Sequence, residues 1–526
     1  MKKAASARPK PCPAAADLRL GRVEKREGRR GRSALRAAWG DRVFEQGKAM
    51  EKMEKLVTKF QMYAGLHTIG GVIASVSYGR DRVIFEFGSA YDPATAVFDG
   101  KVEPRRKNWV RDKLRVGLLP RIDGMYRRED LGADPLVSAE ESDWNTAVLI
   151  THLHLDHMAF IGTIAPEVPV YMHHNAQIIE RALEATGKGV ETLERDYRDI
   201  VPFEPIRVGQ IEVLPILCRD TSYCDFAFLI TTPDGTIHWT GDLCLHGTQA
   251  DRTLRQMEIL KERNIDVMLC DCTSFMDSVL PLMIPDCDPH KILPNPSLPD
   301  GMLSEQEYYE SLFARLKELP GLCVFNYYQR EMDDAATFLE WAERTNRVCA
   351  FEPDAAYIVY KFFGIEPHVY IPDAPSCEAA KREPWMQELL SHCTLVSLEE
   401  IQHNPRGYMV QNSYEHIMEL FSLPTEGGVY LHADGIPIGA FDPAYANMRK
   451  IIDMSGFAYM TCFCENYFGH GYPQQVKYFV DTVNPKVLIP CHSYNPERLL
   501  PKDGVQLLPE MYREYTLENH VFSPLD

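Results

Sequence analysis

One stretch constrains this chain more than any other: Ala147-Val-Leu-Ile-Thr-His152-Leu-His154-Leu-Asp156-His157-Met158. The apolar run Val148 to Ile150 reads as a short buried strand. It ends in three histidines and an aspartate with the spacing H-x-H-x-D-H. Alternate residues of an extended segment face the same way, so His152 and His154 are expected to grip one ion together. Asp156 and His157 then turn toward a neighbouring point, which suits a second ion. Imidazole plus carboxylate is the ligand mix that zinc favours. The bland alternative is a His-rich polar loop, but chance yields this spacing only on the order of once in a thousand such chains.

With 526 residues the chain is long enough for two or more domains. No apolar run is long enough to span a bilayer, so no membrane partner is expected. The 14 cysteines are scattered without a zinc-finger or C-x-x-C pattern, and no secretory signal opens the chain. A reduced, cytoplasmic setting follows as an expectation. The formal net charge of −19 disfavours broad, non-specific nucleic-acid binding but leaves room for a local basic channel. Residues 1–49 stand apart, with 14 Lys+Arg against 5 Asp+Glu, which is +9 against −28 for the remainder. A disordered extension, a transit peptide and a true start at Met50 or Met53 are the readings of that segment, the last being favoured.

From Lys55 the pattern turns to strands: Val57 to Tyr63, Val72 to Tyr78, and Arg82 to Phe87, the last carrying Glu86 at its tip. A run of cations follows: Arg105, Arg106, Lys107, Arg111, Lys113, Arg115 and Arg121. It is either one wall of a phosphate channel or, more commonly for such runs, a solvated helix face. After the His/Asp motif come a strand at Val168 to Met172 and a helix from Asn175 to Ala185. Further strands are expected at Ile211 to Ile216, Phe226 to Thr231, Thr236 to Thr240 and Val267 to Cys270. Asp242, just after a strand and Gly241, is well placed to bridge two metals. Residues 276–303 are Pro- and Asp-rich, and an alternating α/β unit follows, opened by the capping box Ser304-Glu-Gln-Glu307. The strand Lys486 to Pro490 ends in Cys491-His492. The expected divisions are a basic extension at 1–52, a first scaffold part at 53–275, an inserted α/β domain at 276–455 and a closing scaffold part at 456–526.

These residues resemble the metallo-β-lactamase fold: H-x-H-x-D-H at 152–157, Gly241-Asp242, and the strand-end His492. The long gap between Asp242 and His492, filled by an α/β unit, resembles the β-CASP subgroup, which includes ribonuclease J and the cleavage-and-polyadenylation endonucleases. Asp271-Cys-Thr273, Phe468-Gly-His470-Gly471 and Ile489-Pro-Cys-His492 are similar to its additional motifs, and the stretch around Arg330 to the helix opening its inserted domain. The resemblance implies an αβ/βα sandwich with an inserted β-CASP-like lobe, two divalent metal ions, Zn2+ or Mn2+, and RNA or another nucleic acid as substrate. A homo-oligomer stays open. The chain departs from the family in two places. Glu86 stands where the family has Asp, at a position that orients a ligand. The family's third ligand histidine falls on Asp220, a harder donor that shifts preference toward manganese. Too little chain follows His492 for the C-terminal domain of ribonuclease J.

The ligand set this implies is His152, His154 and Asp220 for one ion, Asp156, His157 and His492 for the other, and Asp242 between them. His470, polarised by Asp271, is then the expected acid for the leaving group, with Asp156 and Asp242 positioning charge; the bland alternative is that His470 caps the helix near Pro473. His67, His173, His174, His238 and His246 read as structural or exposed, and Cys218, Cys244, Cys270 and Cys272 as small buried residues. Three functions compete: a metal-dependent ribonuclease, a hydrolase of a small ester or phosphodiester, and a catalytically weak binding protein that kept the fold.

Overall fold

Strand alternation decides how this chain layers. The computed structural model describes residues 55–94, 96–190, 195–218, 225–284, 286–433, 435–461 and 467–525; the basic extension with Met50 and Met53, and Asp220, lie outside the described residues. The chain divides after Leu56, and residues 57–526 form one unit.

Three sheets organise that unit. The first runs Val521–Pro524, Glu514–Glu518, Thr58–Ala64, Ile73–Tyr78, Asp81–Phe85, Asn145–Leu149, Val170–His173 and Arg198–Ile200. The second runs Val505–Gln506, Val487–Cys491, Val267–Asp271, Gly235–Trp239, Phe226–Thr232, Ile211–Leu217 and Ile206–Val208. Val83, Phe85, Ala147 and Leu149 of the first sheet share a core with Phe228, Ile230, Trp239 and Leu269 of the second. The intervening residues Ile84 and Val148, with Ile150 just past the strand, belong instead to a core with Ile179 and Leu183 of the helix His174–Thr186. In the second sheet Met268, Cys270 and Leu488 likewise pack with Leu260 of the helix Ala250–Lys261 and Phe479 of the helix Pro473–Val483. Period-two burial on both faces thus produces a helix–sheet–sheet–helix order.

The third sheet is wholly parallel: Thr394–Val396, His368–Tyr370, Val348–Phe351, Tyr408–Gln411, Cys323–Asn326, Val429–His432 and Ala458–Thr461. In sequence it falls between Val267–Asp271 and Val487–Cys491, which pair directly in the second sheet. Its last strand lies beyond the boundary expected at 455. The helix Pro443–Ser455 ends at Gly456, whose φ of +92° suits a C-cap, and the chain then adds one more parallel strand. The capping box at Ser304 forms as expected: the Ser304 hydroxyl accepts from the Glu307 N–H, and the Glu307 carboxylate accepts from the Ser304 N–H at 2.9 Å. The third sheet is not a loosely tethered lobe. Phe325, Phe338, Phe351 and Ile358 belong to the same continuous core as Val148 and Ile179. Among the described residues, no helix is long and apolar enough to cross a membrane.

The basic run is largely tied up locally. Arg105 pairs with Asp112 at 2.6 Å and Arg121 with Asp134 at 2.6 Å. Arg111 donates to Asn108, and the Lys113 ammonium lies over the Trp109 and Phe160 rings. Arg106, Lys107 and Arg115 are exposed.

Candidate metal centre

Five strand ends meet at one edge of the two packed sheets. Asp81–Phe85 delivers Glu86, Asn145–Leu149 the His/Asp motif, Gly235–Trp239 Asp242, Val267–Asp271 its own last residue, and Val487–Cys491 His492. The motif itself bends: His154 is still extended, and Leu155–Met158 is a single helical turn. That turn lies against glycines. A Cβ on Gly70 would sit 2.1 Å from Asp156 Oδ2, and one on Gly88 would sit 2.0 Å from the Asp156 carbonyl oxygen, so neither position admits a side chain as it stands. Glu86 and His492 themselves take positive φ, +61° and +58°. Non-glycine residues seldom adopt this conformation, and it recurs where a side chain must be aimed.

Asp242 is the hub, with its side chain buried. Its Oδ1 lies 3.2 Å from His157 Nε2 and 3.6 Å from His492 Nε2, and its Oδ2 lies 3.6 Å from His152 Nε2. Asp156 Oδ2 reaches His492 Nε2 at 3.3 Å and His157 Nε2 at 3.7 Å. His157 Nε2 and His492 Nε2 face each other at 3.3 Å.

The outer partners fix the tautomers. Thr151 Oγ1 has one proton and donates it to Glu86, an acceptor only. His152 Nδ1, 2.9 Å from that hydroxyl, must therefore be the donor, and Nε2 carries a lone pair. Thr273 Oγ1 commits its proton to Asp271 or to the His492 carbonyl. His492 Nδ1, 2.7 Å away, then donates as well, again leaving Nε2 as the lone pair. His157 Nδ1 lies 3.3 Å from Glu86 Oε1 without a hydrogen bond to it, and that oxygen accepts from Trp239 Nε1 at 2.9 Å. The lone pairs of His152 and His492 and the Nε2 of His157 thus converge on two carboxylates. His152 Nε2, His157 Nδ1 and Asp242 Oδ1 are buried and lack any hydrogen-bond partner, and unpaired buried polar atoms are costly.

The electrostatics describe the same surplus of negative charge. Burial pulls the His157 imidazole down, but Asp242, Asp156 and Glu86 outweigh it and hold its pKa well above the ordinary value. His492 is likewise pushed up to about 9: burial opposes, and Asp242, Asp156 and Asp271 prevail. Burial, then the His157 and His154 imidazoles, hold His152 well below the ordinary value. The pocket demands cations, and the donor set fits divalent metal ions of the zinc or manganese kind. Two groups could hold them: His152, His157 and Asp242, and Asp156, His157 and His492.

His154 departs from the expected pairing with His152. The two rings lie 4.4 Å apart, but His154 Nε2 is bonded to Glu331 Oε1 at 2.6 Å, and His154 joins neither group. Glu331 comes from the loop after Cys323–Asn326 of the third sheet. Burial lowers the His154 pKa, but the Glu331 hydrogen bond and charge overcome it, for a net rise. Sequence reasoning missed Glu331. The only cue was an acid immediately before the helix Met332–Arg344, a position acids occupy for many reasons.

His470 and Asp271 form a separate arm. His470 Nδ1 lies 2.9 Å from Asp271 Oδ2, and its Nε2 lies 3.8 Å from Asp242 Oδ2. Asp271 also accepts from the Leu243 N–H, the Thr273 N–H and the Thr273 hydroxyl at 2.9, 2.9 and 2.6 Å. Burial pushes its carboxyl up, but the His470 charge and hydrogen bond, with the His492 charge, hold it below the usual range. His470 also completes a third group with Asp242 and Asp271. Its side chain bonds to Asp271, whereas the helix Pro473–Val483 is capped at Tyr472.

The remaining histidines have other tasks. His173 caps the helix His174–Thr186, and His174 and His67 are exposed. His238 bonds to the Phe228 carbonyl, and His246 bridges the Phe468 carbonyl and Gln475. Cys218, Cys244, Cys270 and Cys272 are buried.

No family model matches the chain, and no curated protein matches it. A protein of unknown function from Enterococcus faecalis V583 has a similar structure over 88% of this chain and 100% of that one, with 24% identity and a TM-score of 0.68. The fold is therefore shared with that protein. The metallo-beta-lactamase fold protein YhfI from Bacillus subtilis aligns over 42% of this chain and 72% of that one, with 18% identity and a TM-score of 0.27. That overlap is too slight to argue from.

Proposed function

We propose that this chain is a metal-dependent hydrolase of the metallo-β-lactamase type with two divalent ions, and that a phosphodiester, RNA first, is its substrate. One observation carries the reading: the Nε2 atoms of His152, His157 and His492 converge on Asp242 and Asp156, with His152 and His492 each oriented by a threonine hydroxyl. The third sheet, inserted between two paired strands of the second, supports a β-CASP-like lobe.

Bound divalent ions would supply Lewis-acid activation of water and neutralise charge on a phosphoryl group. His152, Asp156, His157, Asp242 and His492 would hold them, and His154 would complete the first set. Asp220 is retained as the proposed further ligand from its sequence position. Glu86 places a carboxylate 3.3 Å from His157 Nδ1. Asp271, saturated by backbone and hydroxyl donors, accepts from His470 Nδ1–H and leaves Nε2 3.8 Å from Asp242 Oδ2. The doubly protonated ring carries its second proton on Nε2, where it is placed to go to a departing oxygen.

A small ester or phosphodiester is the second reading. It is favoured by the local pairing of Arg105, Arg111, Lys113 and Arg121, which leaves less of that run to form a phosphate-binding wall. Turnover of labelled single-stranded RNA, single-stranded DNA and bis-p-nitrophenyl phosphate, with zinc or manganese, tests both. RNA cleavage supports the first reading, and hydrolysis of the small diester alone supports the second. Inactivity on all three with both ions bound would overturn the phosphodiesterase proposal.

A further inference from the structure

We infer that Glu331 is a positioning residue that makes the third-sheet lobe part of the metal centre, by fixing which nitrogen of His154 faces the ions. The inference rests on the metal-hydrolase reading above. The contact is short, 2.6 Å from Glu331 Oε1 to His154 Nε2, and joins residues 177 positions apart. Both side chains are largely shielded, at 15% and 20% exposure.

The loop that carries Glu331 is clamped on both sides. Next to it, Arg330 is buried and its Nη1 pairs with Glu180 Oε2 at 2.7 Å. Its Nη2 donates to the Lys188 carbonyl at 3.1 Å. The Glu331 N–H donates to the Tyr328 carbonyl at 2.8 Å, and the Tyr328 ring lies 5.5 Å from the His154 ring. An arginine–carboxylate pair in a dry site holds direction as well as distance. The fold therefore aims the Glu331 carboxylate at His154.

The chemistry then follows from proton counting. A carboxylate accepts and does not donate, so the proton of neutral His154 sits on Nε2 and the lone pair on Nδ1. His152 shows the reverse assignment, because Thr151 takes its Nδ1 proton and frees Nε2. The two histidines of H-x-H thus keep their lone pairs on different ring nitrogens, each set by a different outer partner. A carboxylate behind a ligating imidazole also raises its basicity, and loss of such a partner typically costs about 10–100-fold in metal affinity. The donor of that carboxylate is the inserted lobe, so the lobe contributes to metal retention and not only to substrate access.

The test is metal affinity, by chelator competition with zinc, together with the visible spectrum of the cobalt-loaded protein, on the full chain and its E331A and E331Q variants. E331A is expected to weaken one of two ions about 10–100-fold and to shift the cobalt bands. E331Q keeps an acceptor oxygen for the Nε2 proton and is expected to recover most of that affinity. Unchanged affinity and spectrum in E331A, with two ions bound to the parent, would overturn the inference and leave the metal-hydrolase reading standing. Tighter zinc binding in E331A would also overturn it, by showing that Glu331 holds His154 away from the ion. A parent chain that binds no metal would instead remove the reading on which the inference rests.

Discussion

Two buried histidine–carboxylate clusters sit at the carboxyl ends of strands in this molecule, and they differ in one respect. In the third sheet Glu352 follows Val348–Phe351 and is fully buried. Its Oε2 lies 2.8 Å from His416 Nδ1, and its Oε1 accepts from the Ser413 N–H at 2.9 Å. His416 Nε2 has Ser376 Oγ at 3.1 Å. Every polar atom of Glu352 and His416 has a protein partner. At the Asp242 cluster, by contrast, His152 Nε2 and Asp242 Oδ1 have none, and two imidazoles face each other through Nε2. Residue type and topological place are alike. The candidate metal centre differs from the structural cluster in that the protein leaves some of its ligand atoms without hydrogen bonds.

Breaking the hub should have the largest effect. Asp242→Ala removes the carboxylate shared by His152, His157 and His492, so zinc should no longer raise the melting temperature of the variant. Phosphodiesterase activity should fall to background. An undiminished zinc-induced rise would show that Asp242 is not the shared ligand.

The His470–Asp271 arm should separate chemistry from binding. His470→Ala is expected to keep both ions and lose about 10²–10⁴-fold in single-turnover rate. Asp271→Asn should reproduce part of that loss. Metal content and single-turnover cleavage, measured on the same preparations, decide the matter. Loss of an ion in His470→Ala would instead place His470 among the ligands.

The smallest effect belongs to the satisfied cluster. Glu352→Ala strips the partners from His416 Nδ1 and the Ser413 N–H, and should cost about 1–3 kcal/mol of stability in urea unfolding. Metal content should stay that of the parent. If metal were lost with no change in stability, the contrast between the two clusters would fail.

Local spacing made much of the centre legible. His152, Asp156 and His157 lie in one six-residue motif, and Asp242 and His492 each end a strand whose apolar alternation is plain in the sequence. The layers followed for the same reason, since Val83/Phe85 and Ala147/Leu149 alternate with Ile84 and Val148. The assignment of His154 was not legible. Its orientation depends on Glu331, which reaches it only through packing of the third sheet. The strand Ala458–Thr461 was missed because four residues after a helix carry too little periodicity to mark a strand. The closed pairing of the basic run was also hidden, because Asp134 meets Arg121 only through the fold.

The central claim is that the unsatisfied cluster is completed by ions. Elemental analysis of the purified chain, after loading with zinc or manganese and removal of excess, tests it most directly. Two divalent ions per chain, with Glu352→Ala unchanged, is the predicted result. A chain that returns no stoichiometric metal under both loadings would contradict it.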